Sequence, residues 1–183
     1  MSRTKVDPAI VQIFAENVRA EIITPKPAAP RLDPAIVRKI ADSVKVFNGM
    51  PHDILMATLA LAEQTPLKAD GIVFKEGDIG SSFHVLIAGS VAVEKSRSGT
   101  PVQLAKMSAG ECFGEMSLVS NQVRSATVRA LRDSVTLRFE RERLDSYPTG
   151  AAIVYRNIAR VLSARLNQSS EQLADMVFRS STF

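Results

Sequence analysis

The chain has no tryptophan, one cysteine and two histidines in 183 residues, and its aromatics amount to only 5%. A single thiol, Cys112, cannot close an internal disulfide, so burial must hold the fold together, and a cytoplasmic location fits. Inside its motif Cys112 reads as a small buried apolar residue rather than a reactive thiol. His52 and His84 lie far apart and no metal-ligand cluster surrounds them, so no metal and no cofactor are expected. His84 falls in an apolar strand and reads as core or barrel wall. No apolar run approaches the ~20 residues that cross a bilayer, and Met1–Pro8 has no signal-peptide core. Blocks of like charge are absent as well. A net charge of +4 and a pI near 9.5 therefore describe a solvated, mildly basic surface that can attract a small anion. A nucleic-acid binder acting through basic surface alone is the third-ranked reading.

What is present is an ordinary globular composition, 45% hydrophobic and 23% charged, enough for one domain with an appendage. Asp7-Pro8-Ala9-Ile10-Val11 recurs as Asp33-Pro34-Ala35-Ile36-Val37, the signature of an N-cap followed by a first-turn proline. Two similarly capped helices are expected, with Ile36, Ile40, Val44 and Phe47 on one face of the second. The proline-rich stretch from Thr24 to Pro30 links them. Residues 1–46 are read as a helical arm with this linker, and 47–183 as the main domain. A third helix is expected from His52 to Gln64. From about Leu67 the period changes to two: strands are expected at 71–74, 83–87, 91–95, 102–107, 126–131 and 135–139, with turns at Ala88-Gly89-Ser90 and Ser96–Thr100. Short strands with regular turn glycines predict a mostly β, α+β fold built on an antiparallel β-roll or jelly roll. From Gly150 a long helix carries Ile158, Leu162, Leu166, Leu173 and Val177 at spacings of 4, 4, 7 and 4. Such a stripe calls for a partner helix, as in a coiled-coil seam.

The densest chemistry lies between Gly110 and Val128. Glycines, the acid Glu115, a short amphipathic turn and Arg124 just before a strand suit a sugar phosphate. Arginine supplies a permanent, planar fork for an anion. A carboxylate beside that anion pocket fits a neutral hydroxyl pair such as a ribose edge.

At Phe113–Leu118 and Arg124–Thr127 the chain resembles the cyclic nucleotide-binding domain family, whose cassette runs Phe-Gly-Glu-(Leu/Met)-(Ala/Ser)-Leu, a spacer, then Arg-(Ser/Thr/Ala)-Ala-(Thr/Ser). The resemblance extends to the effector half of the bacterial catabolite-activator (cAMP receptor) family. Gly89–Val93 is similar to its Gly-Ser-Val-Ala-Val strand, and Arg165–Glu171 to its Arg-Leu-Gln-Val-Thr-Ser-Glu stretch. The resemblance implies that Arg124 and Ser125 hold the cyclic phosphate and that Gly114 lets the backbone approach. It further implies that Glu115 accepts from the ribose 2′-hydroxyl, Met116 lines the site with Val93, Leu104 and Val128, and Ser169 and Ser170 contact the base, the second across a homodimer. No nucleophile or general base accompanies these residues, so binding of cAMP or cGMP without turnover is expected, cAMP favoured. That activator family continues into a helix-turn-helix, and this sequence stops at Phe183, so direct DNA binding is not expected and the signal is expected to pass to a partner protein. The main alternative is the same fold without a ligand, serving as a dimerisation or docking module.

Overall fold

The computed structural model describes residues 43–120 and 123–180. The capped helices expected at 7–18 and from 33, with their linker, lie outside the described residues, except that Val44 and Phe47 are both buried.

A short 3-10 turn, Lys45–Phe47, precedes helix α1, His52–Leu59. Leu55, Thr58 and Leu59 of α1 are buried, the Thr58 hydroxyl donating to the Ile54 carbonyl at 2.8 Å, while His52 and Asp53 face outward. The helix ends earlier than the periodicity suggests. Past Leu59 the chain tightens into i→i+3 bonds (Leu61 N–H to Thr58, Ala62 N–H to Leu59), then runs as strand β1, Glu63–Leu67. Gln64 is therefore strand rather than helix. The polar, proline-containing Glu-Gln-Thr-Pro-Leu has no strand pattern of its own; it pairs because the later segment Ser134–Glu140 offers it a ladder, and it sits at the sheet edge, where a proline is tolerated.

Seven further strands follow: β2 Ile72–Phe74, β3 Ser82–Ala88, β4 Ser90–Arg97, β5 Thr100–Ser108, β6 Cys112–Phe113, β7 Thr127–Ala130 and β8 Ser134–Glu140. They form two four-stranded antiparallel sheets, β1-β8-β3-β6 and β2-β7-β4-β5. Double-sheet order of this kind is a jelly-roll arrangement, as expected. Two-residue β6 had no periodicity to announce it. Between β6 and β7 lies α2, Glu115–Ser120. After β8 the chain turns through α3, Arg141–Asp145, and enters α4, Pro148–Ser180, 33 residues long.

One core cluster joins the β1-β8-β3-β6 sheet to the helices: Phe83, Val85, Leu137 and Phe139 pack against Phe47, Leu55, Leu144, Val154 and Ile158. A second, around Leu86, Val91, Met107, Phe113 and Val128, fills the space between the sheets. Only the first part of α4 is buried. Leu166 and Leu173 are exposed, so the predicted stripe splits into a core-facing half and a projecting half. Among the described residues no helix is long and apolar enough to cross a membrane.

Candidate functional site

A cavity of about 900 Å³ opens between the second sheet, residues 110–117 and 124–126, and one face of α4. The topology brings Gly114, Glu115, Met116, Arg124, Ser125 and Ser169 to its wall, with Val93, Leu104 and Val128 as apolar lining. Ser170 is not part of this wall. It faces solvent and its hydroxyl donates to the Leu166 carbonyl at 3.0 Å, one turn back on its own helix.

Arg124 is 4% exposed. Its Nη1 donates to the Ser82 carbonyl (2.7 Å), the Gly114 carbonyl (2.8 Å) and Ser117 Oγ (2.7 Å), and its Nη2 to Ser82 Oγ at 3.0 Å. The guanidinium carbon lies 4.1 Å from the centre of the Phe74 ring, a cation–π contact. Nε is buried with no partner. All four hydrogen-bond acceptors of the guanidinium are neutral, and among the described residues no carboxylate is in direct ion-pair contact with it; Glu140, Asp78 and Glu115 act on it only through space. Burial, then the neighbouring Arg138, pull the Arg124 pKa down from its ordinary value. An anion arriving here meets a cation that is already desolvated and fixed.

Gly114 lines the cavity and also makes room for this arginine. Its φ of +79° is left-handed, and a Cβ there would lie 2.7 Å from Arg124 Nη1. Gly80 does the same from the other side: a Cβ would come within 2.2 Å of Arg124 Nε. Two glycines thus leave the room that the guanidinium fills.

Glu115 is 3% exposed and pairs with a residue that sequence reasoning left out. Arg165 of α4 places Nη1 2.5 Å from Glu115 Oε1 and Nη2 2.8 Å from the Cys112 carbonyl. Burial raises the Glu115 pKa and Arg165 opposes the rise. The signal for Arg165 was available. It stands four residues before Ser169, hence on the same helical face, and its charge is opposite to that of Glu115. Cys112 is buried beside this pair; desolvation pushes its thiol up to about 12, so it stays protonated and inert.

Ser125 remains exposed, its hydroxyl 3.4 Å from Met116 Sδ. His84 is buried as expected, stacked on Phe113 at 5.1 Å with Nδ1 3.2 Å from Thr136 Oγ1. Burial, helped by Arg124 and Arg138, lowers its pKa to about 3, so it is neutral.

A second unforeseen arginine braces the site from behind. Arg141 starts α3; its backbone N–H donates to Ser81 at 2.8 Å, and its Nη2 donates to the Ser117 carbonyl at 2.7 Å and to the Leu118 carbonyl. Ser117 is thereby held by Arg124 on its hydroxyl and by Arg141 on its carbonyl. Losing these charge-assisted bonds in Arg141→Gln should cost about 1.5–3 kcal/mol of stability, measured by urea unfolding. A variant as stable as the parent would show that the brace carries no weight.

The comparisons with known proteins agree with this geometry. Residues 64–147 match the model of the cyclic nucleotide-binding domain. The chain is 23% identical over 134 residues to the CRP-like cAMP-activated global transcriptional regulator of Mycobacterium tuberculosis, covering 73% of this chain and 60% of that protein. It is 32% identical over 100 residues to human cGMP-dependent protein kinase 2, covering 54% of this chain and 13% of the kinase. Among solved structures, the Thermus thermophilus catabolite activator protein superposes with a TM-score of 0.67 at 27% identity, covering 73% of this chain and 63% of that one. Residues 64–147 therefore constitute a cyclic nucleotide-binding domain, of the type found in bacterial cAMP receptors. The chain spans about 60% of the length of the bacterial regulator it matches.

Proposed function

We propose that this protein is a cyclic nucleotide sensor that prefers cAMP to cGMP, binds without turnover, and signals through α4 to a partner protein. The observation that carries the reading is Arg124. A buried guanidinium whose hydrogen-bond acceptors are all neutral is held at the wall of a cavity of about 900 Å³, within a cyclic nucleotide-binding domain. The cyclic phosphate goes to Arg124 and Ser125, the ribose 2′-hydroxyl to Glu115, and the base toward α4. Arg165 holds the Glu115 carboxylate. A ribose hydroxyl reaching that carboxylate changes what ties α4 to the cassette, and the helix pose shifts by the difference in contact between the two states. The exposed Leu166, Leu173 and Met176 on the projecting half of α4 favour a second copy of the helix as its cover.

A thermal-shift screen of cAMP and cGMP tests this. A ligand at 100 times its dissociation constant should stabilise by about 2.7 kcal/mol. Unchanged nucleotide on chromatography after incubation is expected, and hydrogen exchange in α4 should differ with and without ligand. One observation favours the ligand-free docking module instead: Arg124 already rests on Ser82, Gly114 and Ser117 of its own chain. A flat response to both nucleotides would select that reading.

A further inference from the structure

We infer that a second cavity, which shares only Phe74 and Arg124 with the first, binds a small neutral aromatic alcohol and holds its hydroxyl between Thr65 and His84. The inference is independent of the nucleotide reading. The ladder registers set Thr65 against Thr136, and both Glu63 and His84 against Arg138, so these five side chains share one face of the first sheet. Leu86 also pairs with Thr136 and belongs to the core between the sheets, so this is the inner face. Inner faces of packed sheets are normally apolar. Here the end of the face beyond Leu86 is polar instead, and a cavity of about 500 Å³ opens against it. Ile72, Val73 and Phe74 of β2, with Leu67, supply an apolar wall.

Two polar atoms on this face are unspent. Thr65 Oγ1 is buried with no hydrogen-bond partner. His84 is 4% exposed, and its Nδ1 lies 3.2 Å from Thr136 Oγ1. The Thr136 hydroxyl donates to the Thr65 carbonyl at 3.5 Å, which leaves it to accept from Nδ1–H. Nε2 is then a bare acceptor, and among the described residues nothing donates to it. A hydroxyl group is the complement of the pair, donating to His84 Nε2 and accepting from Thr65 Oγ1. The lining charges balance: Arg124 and Arg138 stand with Glu63 and Asp78, and Arg138 is already paired with Glu63 at 3.5 Å and with Glu140. That balance favours a neutral ligand. The volume falls in the range of small-molecule sites and holds a single ring with room to spare. Water satisfies the two polar atoms but leaves Leu67, Val73 and Phe74 hydrated, which a ring does not.

Titration of the full chain with 4-ethylphenol, ethylbenzene and 4-ethylbenzoate, followed by nitrogen-15 NMR of the His84 ring and by backbone shifts, tests this. 4-Ethylphenol should bind about tenfold more tightly than ethylbenzene, which lacks the hydroxyl. It should also bind more tightly than the anionic 4-ethylbenzoate. The His84 Nε2 signal should be that of an unprotonated nitrogen and should move when the phenol is added. In Thr65→Val the margin over ethylbenzene should fall to about threefold or less, and His84→Phe provides a second variant should the first not fold. Equal affinity for the phenol and ethylbenzene, or a margin that neither variant changes, would overturn the assignment of Thr65 and His84. A protonated Nε2 would overturn its role as acceptor, and a preference for 4-ethylbenzoate would overturn the neutral class. Shifts confined to Met116 and Ser169 would put the probe in the first cavity, and no binding of any probe would leave the second to water; either result sinks the inference.

Discussion

Arg124→Ala should weaken cAMP binding several-hundredfold by calorimetry. Losing one partner of a buried charge pair costs about 2–5 kcal/mol, and the middle of that range corresponds to this factor. The structure explains why a value near the middle is reasonable rather than one at the low, surface-pair end. Arg124 is 4% exposed before any ligand arrives, so much of its desolvation has already occurred on folding. Neutral acceptors on Ser82, Gly114 and Ser117 orient it but cannot cancel its charge. A phosphate would supply a direct anionic partner to a guanidinium already in place, which lowers the ordering cost of forming a charge-assisted pair. Because the same side chain also organises Ser82 and Ser117, the variant should lose stability without ligand as well. Affinity close to that of the parent would refute the assignment of Arg124 to the phosphate.

The second large effect concerns the Glu115–Arg165 pair and has a pH signature. In Arg165→Ala the Glu115 carboxylate, 3% exposed, loses its ion-pair partner. Burial already raises the Glu115 pKa above an ordinary value of 4.5, and Arg165 works against that rise, so its removal raises the pKa further. An acid with a folded pKa above its unfolded one favours folding fully below the unfolded value. That contribution disappears as pH rises through the folded value, where the charge must be buried. The deficit of the variant relative to the parent should thus be smallest near pH 4.5 and grow toward neutrality. Breaking a fully buried pair costs about 3–5 kcal/mol; Arg165 is partly exposed, and roughly 2 kcal/mol at pH 7.5 is expected after screening. Chemical unfolding of both proteins across this range measures it. An equal deficit at both ends would show that the pair does not govern the charge of Glu115.

Much of the β-roll was legible because its strands alternate and their turns carry glycine. The Ser90–Arg97 and Thr100–Ser108 pair is a case in point, joined at Ser98-Gly99, where both φ angles are positive. Edge strand β1 was not legible, since its pairing to β8 comes from a partner 71 residues away at Thr65↔Thr136 and not from its own pattern. The cassette was legible as a motif, but the division of labour inside it was not. Gly114 was read as room for a ligand, and the structure adds that a side chain there would collide with Arg124 Nη1. Glu115 looked like a solitary acid and is half of a pair whose other half is 50 residues on. Arg141 carries no motif at all. Its role comes from the turn after β8, which points it at the carbonyls that end the cassette helix.

The order of residue types along the chain was enough to determine an antiparallel roll, a phosphate-suited cassette at 113–127 and a long terminal helix, because periodicity, turn chemistry and local motif are properties of neighbours in sequence. Tertiary structure alone decided which charges meet. Whether Arg124 has a counter-ion, whether Glu115 is free for a ribose, and which face of α4 looks into the cavity all depend on side chains brought together from distant elements. Electrostatics and hydrogen bonding act over a few ångströms of space, whatever the separation along the chain.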